Sequence, residues 1–117
     1  MPVNASDFVA AVKDGQLSAF DAIFKRAALK YNFDWRLLAA IAYHESKFNP
    51  YVRGFGGAYG MMQFMPHVGP KFGVYPGSSP EVQIMGGMKK ISKDFNSWSE
   101  IPDVSQRQKF TLATYNA

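Results

Sequence analysis

At 117 residues the chain has room for one domain with a modest core, and its 47% hydrophobic and 15% aromatic content excludes a disordered chain. The absence of cysteine excludes a disulfide framework and a thiolate metal site, and no apolar run approaches the ~20 residues that span a bilayer. A formal charge of +4 favours approach to any polyanion, whether nucleic acid, anionic lipid or an acidic cell-wall polymer, without choosing among them.

In chain order, residues 1–17 read as a lead-in or linker, with a short helix over 6–12 and a turn at Asp14-Gly15. The start, Met1-Pro2-Val3-Asn4, lacks a charged region followed by an apolar one, so no signal peptide is read there. Ser18 is positioned to cap a helix in which Phe20, Ile23, Phe24, Ala27, Ala28 and Tyr31 recur at helical spacing, and Asn32 suits its C-terminal end. Asp34 caps the next helix, with Phe33 and Leu38 at the spacing of a hydrophobic staple. That helix ends by Asn49-Pro50, because the residue before a proline avoids the helical region. Gly54-Phe55-Gly56-Gly57-Ala58-Tyr59-Gly60 is a loop by composition, and further turn signals lie between Pro66 and Pro80. Ser79-Pro80-Glu81 is a strong helix start, and Ile84, Met88, Ile91 and Phe95 line one face of the helix it opens. Gly86-Gly87 inside that helix costs about 1 kcal/mol per glycine relative to alanine, which predicts close approach by another helix. A loop with Trp98 and Pro102 leads to a last helix over about 104–115. The expected fold class is therefore mainly α: helices joined by loops, with little strand.

The second helix carries an unusual residue. Leu38, Ile41, Ala42 and Glu45 fall on one face. A carboxylate on an apolar stripe loses water, so its pKa rises unless it snorkels from the helix end. A carboxylic acid that stays protonated near neutral pH can act as a general acid.

Several motifs fail. His44-Glu45 opens the zinc-protease helix motif, but the second histidine is missing, since Phe48 stands in its place. Gly54-x-Gly56-Gly57-x-x-Gly60 follows a helix and not a strand, which rules out a dinucleotide fingerprint. Nucleic-acid binding wants a basic stripe interleaved with aromatics, and none is present. No metal, nucleotide or organic cofactor is implied.

Three pieces combine: Glu45-Ser46, then Gly57-Ala58-Tyr59-Gly60-Met61-Met62-Gln63 with Pro66 shortly after, then Ala113-Thr114-Tyr115-Asn116-Ala117. In order and spacing they resemble the three motifs of the soluble-type lytic transglycosylase domain, namely Glu-Ser, Gly-Leu-Met-Gln and Ala-Tyr-Asn. The resemblance extends over roughly 18–117, taken as one catalytic domain. The membrane-bound lytic murein transglycosylases of the F type are the nearest relatives it suggests. It implies a lysozyme-like (goose-type) helical domain with a loop-rich cleft. The implied activity is cleavage of the β-1,4 bond between N-acetylmuramic acid and N-acetylglucosamine in peptidoglycan, giving a 1,6-anhydro ring. Glu45 matches the family's single catalytic acid/base. Ser46, Met62, Gln63, Tyr115 and Asn116 match substrate-binding positions, and the hydroxyl of Tyr115 would reach the carboxylate. Tyr59 and, more weakly, Phe55 could stack on sugar faces.

The residues fit this chemistry independently. Most glycosidases use two carboxylates, yet from 46 to 80 this chain has no Asp or Glu. If the glutamate works alone, something else must stabilise the transition state; the substrate's 2-acetamido group can do so, and its 6-hydroxyl can replace water. The resemblance also implies peptidoglycan strands as partner, no nucleic acid, action as a monomer, and a place in the periplasm or outer envelope. The chain departs from the family at Met61 for leucine, Thr114 for alanine, Val68 for threonine, and Gly54-Phe55-Gly56 for a serine-containing loop. It also stops at Ala117 where the family continues, so it reads as truncated. The alternatives are a lysozyme-like hydrolase of the same fold, which needs a placed water and usually a second carboxylate, and a non-catalytic glycan-binding module.

Overall fold

Four helices and two short 3-10 turns make up the described part of the chain, residues 17–115 of the computed structural model. The expected helix over 6–12, the Asp14-Gly15 turn, Asn116 and Ala117 lie outside the described residues. The helices are α1 (Asp21–Lys30), α2 (Trp35–Ser46), α3 (Pro80–Ser97) and α4 (Val104–Thr114). The 3-10 turns are Phe55–Gly57 and Gly69–Phe72. Among the described residues the β structure is limited to isolated antiparallel bridges pairing Tyr59 with Arg53 and with Phe64. No described helix is long and apolar enough to cross a membrane.

The helix ends follow the capping chemistry of the sequence, with one shift. Ser18 does not cap α1 directly. Its backbone N–H and hydroxyl both donate to the Asp21 carboxylate at 2.9 Å, and its Oγ accepts from the N–H of Phe20 at 3.1 Å. This reciprocal arrangement moves the first helical residue to Asp21. At the other end Asn32 adopts φ 53°, and the N–H groups of Asn32 and Phe33 donate to Leu29 and Ala28 at 3.1 and 2.9 Å, a Schellman closure. Asp34 accepts from Arg36 N at 3.0 Å and starts α2; Ser79 accepts from Val82 N at 3.2 Å and starts α3; Asp103 accepts from Gln106 N at 3.0 Å and starts α4.

α3 is the central element, packing against α1, α4 and the Gly69–Phe72 turn. Its face of Ile84, Met88 and Ile91 is fully buried with Phe24 of α1, Leu38 and Ile41 of α2, and Met61 and Met62 of the loop. Each such side chain contributes roughly 1.5–3 kcal/mol by leaving water. The glycine pair is tight, as its composition predicts, but the neighbour is not a helix. A Cβ on Gly86 would run into Val74 and lie 3.2 Å from the Phe72 carbonyl, and one on Gly87 would lie 2.7 Å from Met62 Cγ. The pair thus lets the loops between α2 and α3 settle onto α3 and fixes the wall of the cleft.

Candidate active site

Glu45 stands one residue before the end of α2. The helix stops at Ser46 because Lys47 and Phe48 both adopt left-handed backbone, φ 51° and 64°. Non-glycine residues reach that region at a cost of about 1–2 kcal/mol each. The ring of Phe48 offsets part of it, lying 5.8 Å from that of Phe24 and 5.4 Å from that of Tyr43. Cut short this way, α2 holds Glu45 at the wall of a cleft of about 540 Å³, with its Oε1 atom buried.

The other lining residues come from three places. The loop contributes Phe55 and Gln63, the stretch after it Met65 and His67, and the C-terminal helices Lys90 and Tyr115. Among the described residues Glu45 is the only carboxylate lining the cleft. Three other acids have partners of their own: Glu81 pairs with Arg26 at 2.9 Å, Asp94 with Lys90 at 2.9 Å, and Asp103 caps α4. Nor do the described residues contain a His, Asp and Glu group that could hold a metal ion.

Tyr115 is buried behind the carboxylate. Its hydroxyl donates to the carbonyl of Met62 at 2.8 Å, which ties it to the loop backbone. Burial pushes the Tyr115 hydroxyl well above the usual tyrosine range, and the negative charges of Glu45 and Asp94 push it further. It therefore stays a neutral donor. Lys90 lies over its ring, Nζ 4.3 Å from the centroid, and also donates to Asp94 and to the Tyr115 carbonyl at 2.9 and 3.4 Å.

Of the residues singled out in the sequence, the structure brings Glu45, Gln63 and Tyr115 together around the cleft. Gln63 sits at φ 51° and spends its amide N–H groups on the loop, donating to Gly60 O at 2.8 Å and Val52 O at 3.3 Å. Both amide donors thus shape the wall. Ser46, Met62 and Tyr59 do not line the cleft. Ser46 is buried and its hydroxyl donates back to Ala42 O at 3.0 Å. Met62 is fully buried beneath Gly87, and it is its carbonyl that serves the site. Tyr59 is buried with its hydroxyl donating to Val74 O at 2.7 Å, so it holds loop to loop.

Two participants escaped the sequence reading. Gln83, almost fully buried on α3, accepts from Met61 N at 2.6 Å and donates to Ser78 O at 2.8 Å and Pro50 O at 3.1 Å. It ties both ends of the long inter-helix segment to α3. Lys90 is the other. A trace of both was present: Gln83, Gly87, Lys90 and Asp94 recur at helical spacing beside the apolar face.

Comparison with known proteins points in one direction. The family described as the Transglycosylase SLT domain matches residues 22–117. The membrane-bound lytic murein transglycosylase F of Hahella chejuensis is 35% identical over 114 residues, covering 97% of this chain and 22% of that protein. Its counterpart in Vibrio cholerae is 33% identical over 117 residues, with 97% and 21% covered. That of Shewanella loihica is 40% identical over 85 residues, with 73% and 18% covered. The chain thus spans about a fifth of the length of these relatives.

Proposed function

The chain belongs to the Transglycosylase SLT domain family, and from that premise we propose that its cleft cleaves the β-1,4 bond between N-acetylmuramic acid and N-acetylglucosamine in peptidoglycan, in the cell envelope, leaving a 1,6-anhydro end. The observation that carries this reading is a partly buried carboxylate, the only one that the described residues place along a cleft of about 540 Å³. Two-carboxylate glycosidases place a second acid across the bond, for a nucleophile or for a water-activating base. Here the polar residues that share the cleft with Glu45 are His67, Lys90, Tyr115 and Gln63 instead.

One glutamate then serves twice. Protonated Glu45 gives its proton to the glycosidic oxygen as the bond from C1 to that oxygen breaks, and the leaving sugar departs as an alcohol. The substrate's 2-acetamido group shares the positive charge at C1. The carboxylate that remains takes the proton of the sugar's own 6-hydroxyl as that oxygen bonds to C1. The acid is regenerated and no water is consumed. Tyr115 and Lys90 keep the wall behind the carboxylate in place through the Met62 carbonyl and Asp94.

The test is to incubate the chain with purified peptidoglycan and identify the soluble products by mass spectrometry. Anhydro-ended muropeptides are the expected result. Reducing-end products would make the chain a hydrolase of the same fold and send the search to Asp94 for a second acid. Binding without products would leave a glycan-binding module.

A further inference from the structure

Phe55 is fully exposed, yet it borders the cleft. Single exposed hydrophobic residues are ordinary on protein surfaces. What sets Phe55 apart is the turn that carries it. Gly54 N donates to Ala58 O at 2.8 Å and Ala58 N to Phe55 O at 3.3 Å, which closes the turn at both ends. Gly56 and Gly57 hold φ 71° and 86°, where side chains are strained.

The missing side chains of this turn are all accounted for by the opposing arm. A Cβ on Gly54 would collide with the Gln63 carboxamide, one on Gly56 would lie 3.1 Å from Met65 Cε, and one on Gly57 would lie 3.4 Å from Pro66 Cγ. The turn is therefore laid flat on residues 63–66, and the one large side chain it carries stands in solvent at the cleft rim. The other aromatic of the loop, Tyr59, is buried and bonded to Val74.

We propose that Phe55 is a stacking platform for one sugar ring of the strand held in the cleft, and so sets substrate affinity and not the rate of bond cleavage. The inference rests on the glycan-cleaving reading above. A pyranose presents a face of C–H bonds that is apolar and slightly positive, which suits the negative face of a phenyl ring. A phenyl ring makes no hydrogen bond and has two torsions to order, so it adds affinity at small entropic cost without reading individual hydroxyls. No Asp or Glu lies between residues 46 and 80 to repel a strand that carries carboxylates.

The experiment uses Phe55→Ala and Phe55→Trp, each also in a Glu45→Gln background, with a soluble tetrasaccharide of alternating N-acetylglucosamine and N-acetylmuramic acid. Phe55→Ala is expected to raise KM and the dissociation constant roughly threefold to tenfold, with kcat within about twofold of the parent. Phe55→Trp is expected to restore both constants, and its indole emission should shift on binding relative to Glu45→Gln alone. Unchanged KM and affinity in Phe55→Ala, or a fall in kcat at constant KM, would overturn the proposal. So would a change in sedimentation without a change in affinity, because Phe55 would then pack between copies of the chain. A parent that binds the tetrasaccharide without cutting it counts against the cleavage reading alone, since the affinity ratio still decides the role of Phe55. A parent that neither binds nor cuts overturns both.

Discussion

The helical frame and the segment joining α2 to α3 are ordered by different forces. In the frame, Phe24, Leu38, Ile41, Ile84, Met88 and Ile91 interlock with no exposed surface, and order comes from apolar burial shared over many contacts. In the joining segment, Met61, Met62, Phe64 and Val74 reach into that core, and individual bonds and backbone conformations order the rest. Gln83 answers three backbone groups, Gln63 two, Tyr59 one, and Gly56, Gly57, Gly60 and Gln63 all sit at positive φ. Apolar packing is redundant and degrades gradually, whereas a buried polar bond is costly to lose because its partner stays buried. The cleft is lined from both regions. Glu45 stands on the frame, while the walls it faces are held largely by the second kind of order.

Four substitutions sharpen or break that contrast. Gly60→Ala should be the most damaging. Gly60 holds φ 80°, and a Cβ there would collide with Gln83 Oε1, displacing it from the Met61 N–H. A loss of about 2–4 kcal/mol in urea unfolding is expected, together with loss of peptidoglycan turnover. Gln83→Ala should follow at about 2–3 kcal/mol, again with activity, since three buried backbone groups lose their partner. Equal activity in that variant and the parent would show that the wall does not depend on this tie.

On the frame side, Ile91→Val should cost about 1 kcal/mol in the same measurement and leave turnover intact. Asp34→Ala should be the mildest, at about 1 kcal/mol or less, through loss of the α2 cap. The hydrogen bond from Arg36 holds the Asp34 carboxyl below its ordinary value, with burial opposing. A lowered folded-state pKa means that the parent's advantage is present in full above about pH 4 and disappears as the pH falls through the folded value. Thermal melts of parent and variant should therefore converge in acid.

The same contrast explains what was legible beforehand. Helix starts at Asp34 and Ser79-Pro80 are local chemistry, readable within four residues, and the Ile84, Met88, Ile91 face follows from period alone. The cap expected at Ser18 moved two residues, to Phe20, because the Ser18 hydroxyl is engaged by the Asp21 carboxylate and the Phe20 N–H. Glu45 was legible because helical spacing places it on the face of Leu38 and Ile41. Tyr59 and Met62 were not, since irregular backbone gives no rule for which way a side chain turns, and the Val74 carbonyl that captures Tyr59 is distant in sequence. Gln83 and Lys90 read as ordinary polar helix residues because their partners lie on other elements. The Gly86-Gly87 pair announced a close approach, but nothing in the sequence said that a loop would make it.

The most direct test is turnover of purified peptidoglycan by Glu45→Gln, with unfolding and peptidoglycan binding measured on the same sample. A single general acid and base predicts a loss of about 10²–10⁴ in kcat with binding retained and the unfolding midpoint close to that of the parent. Turnover within a few-fold of the parent, in a folded variant that still binds, would contradict the assignment of the chemistry to this carboxylate.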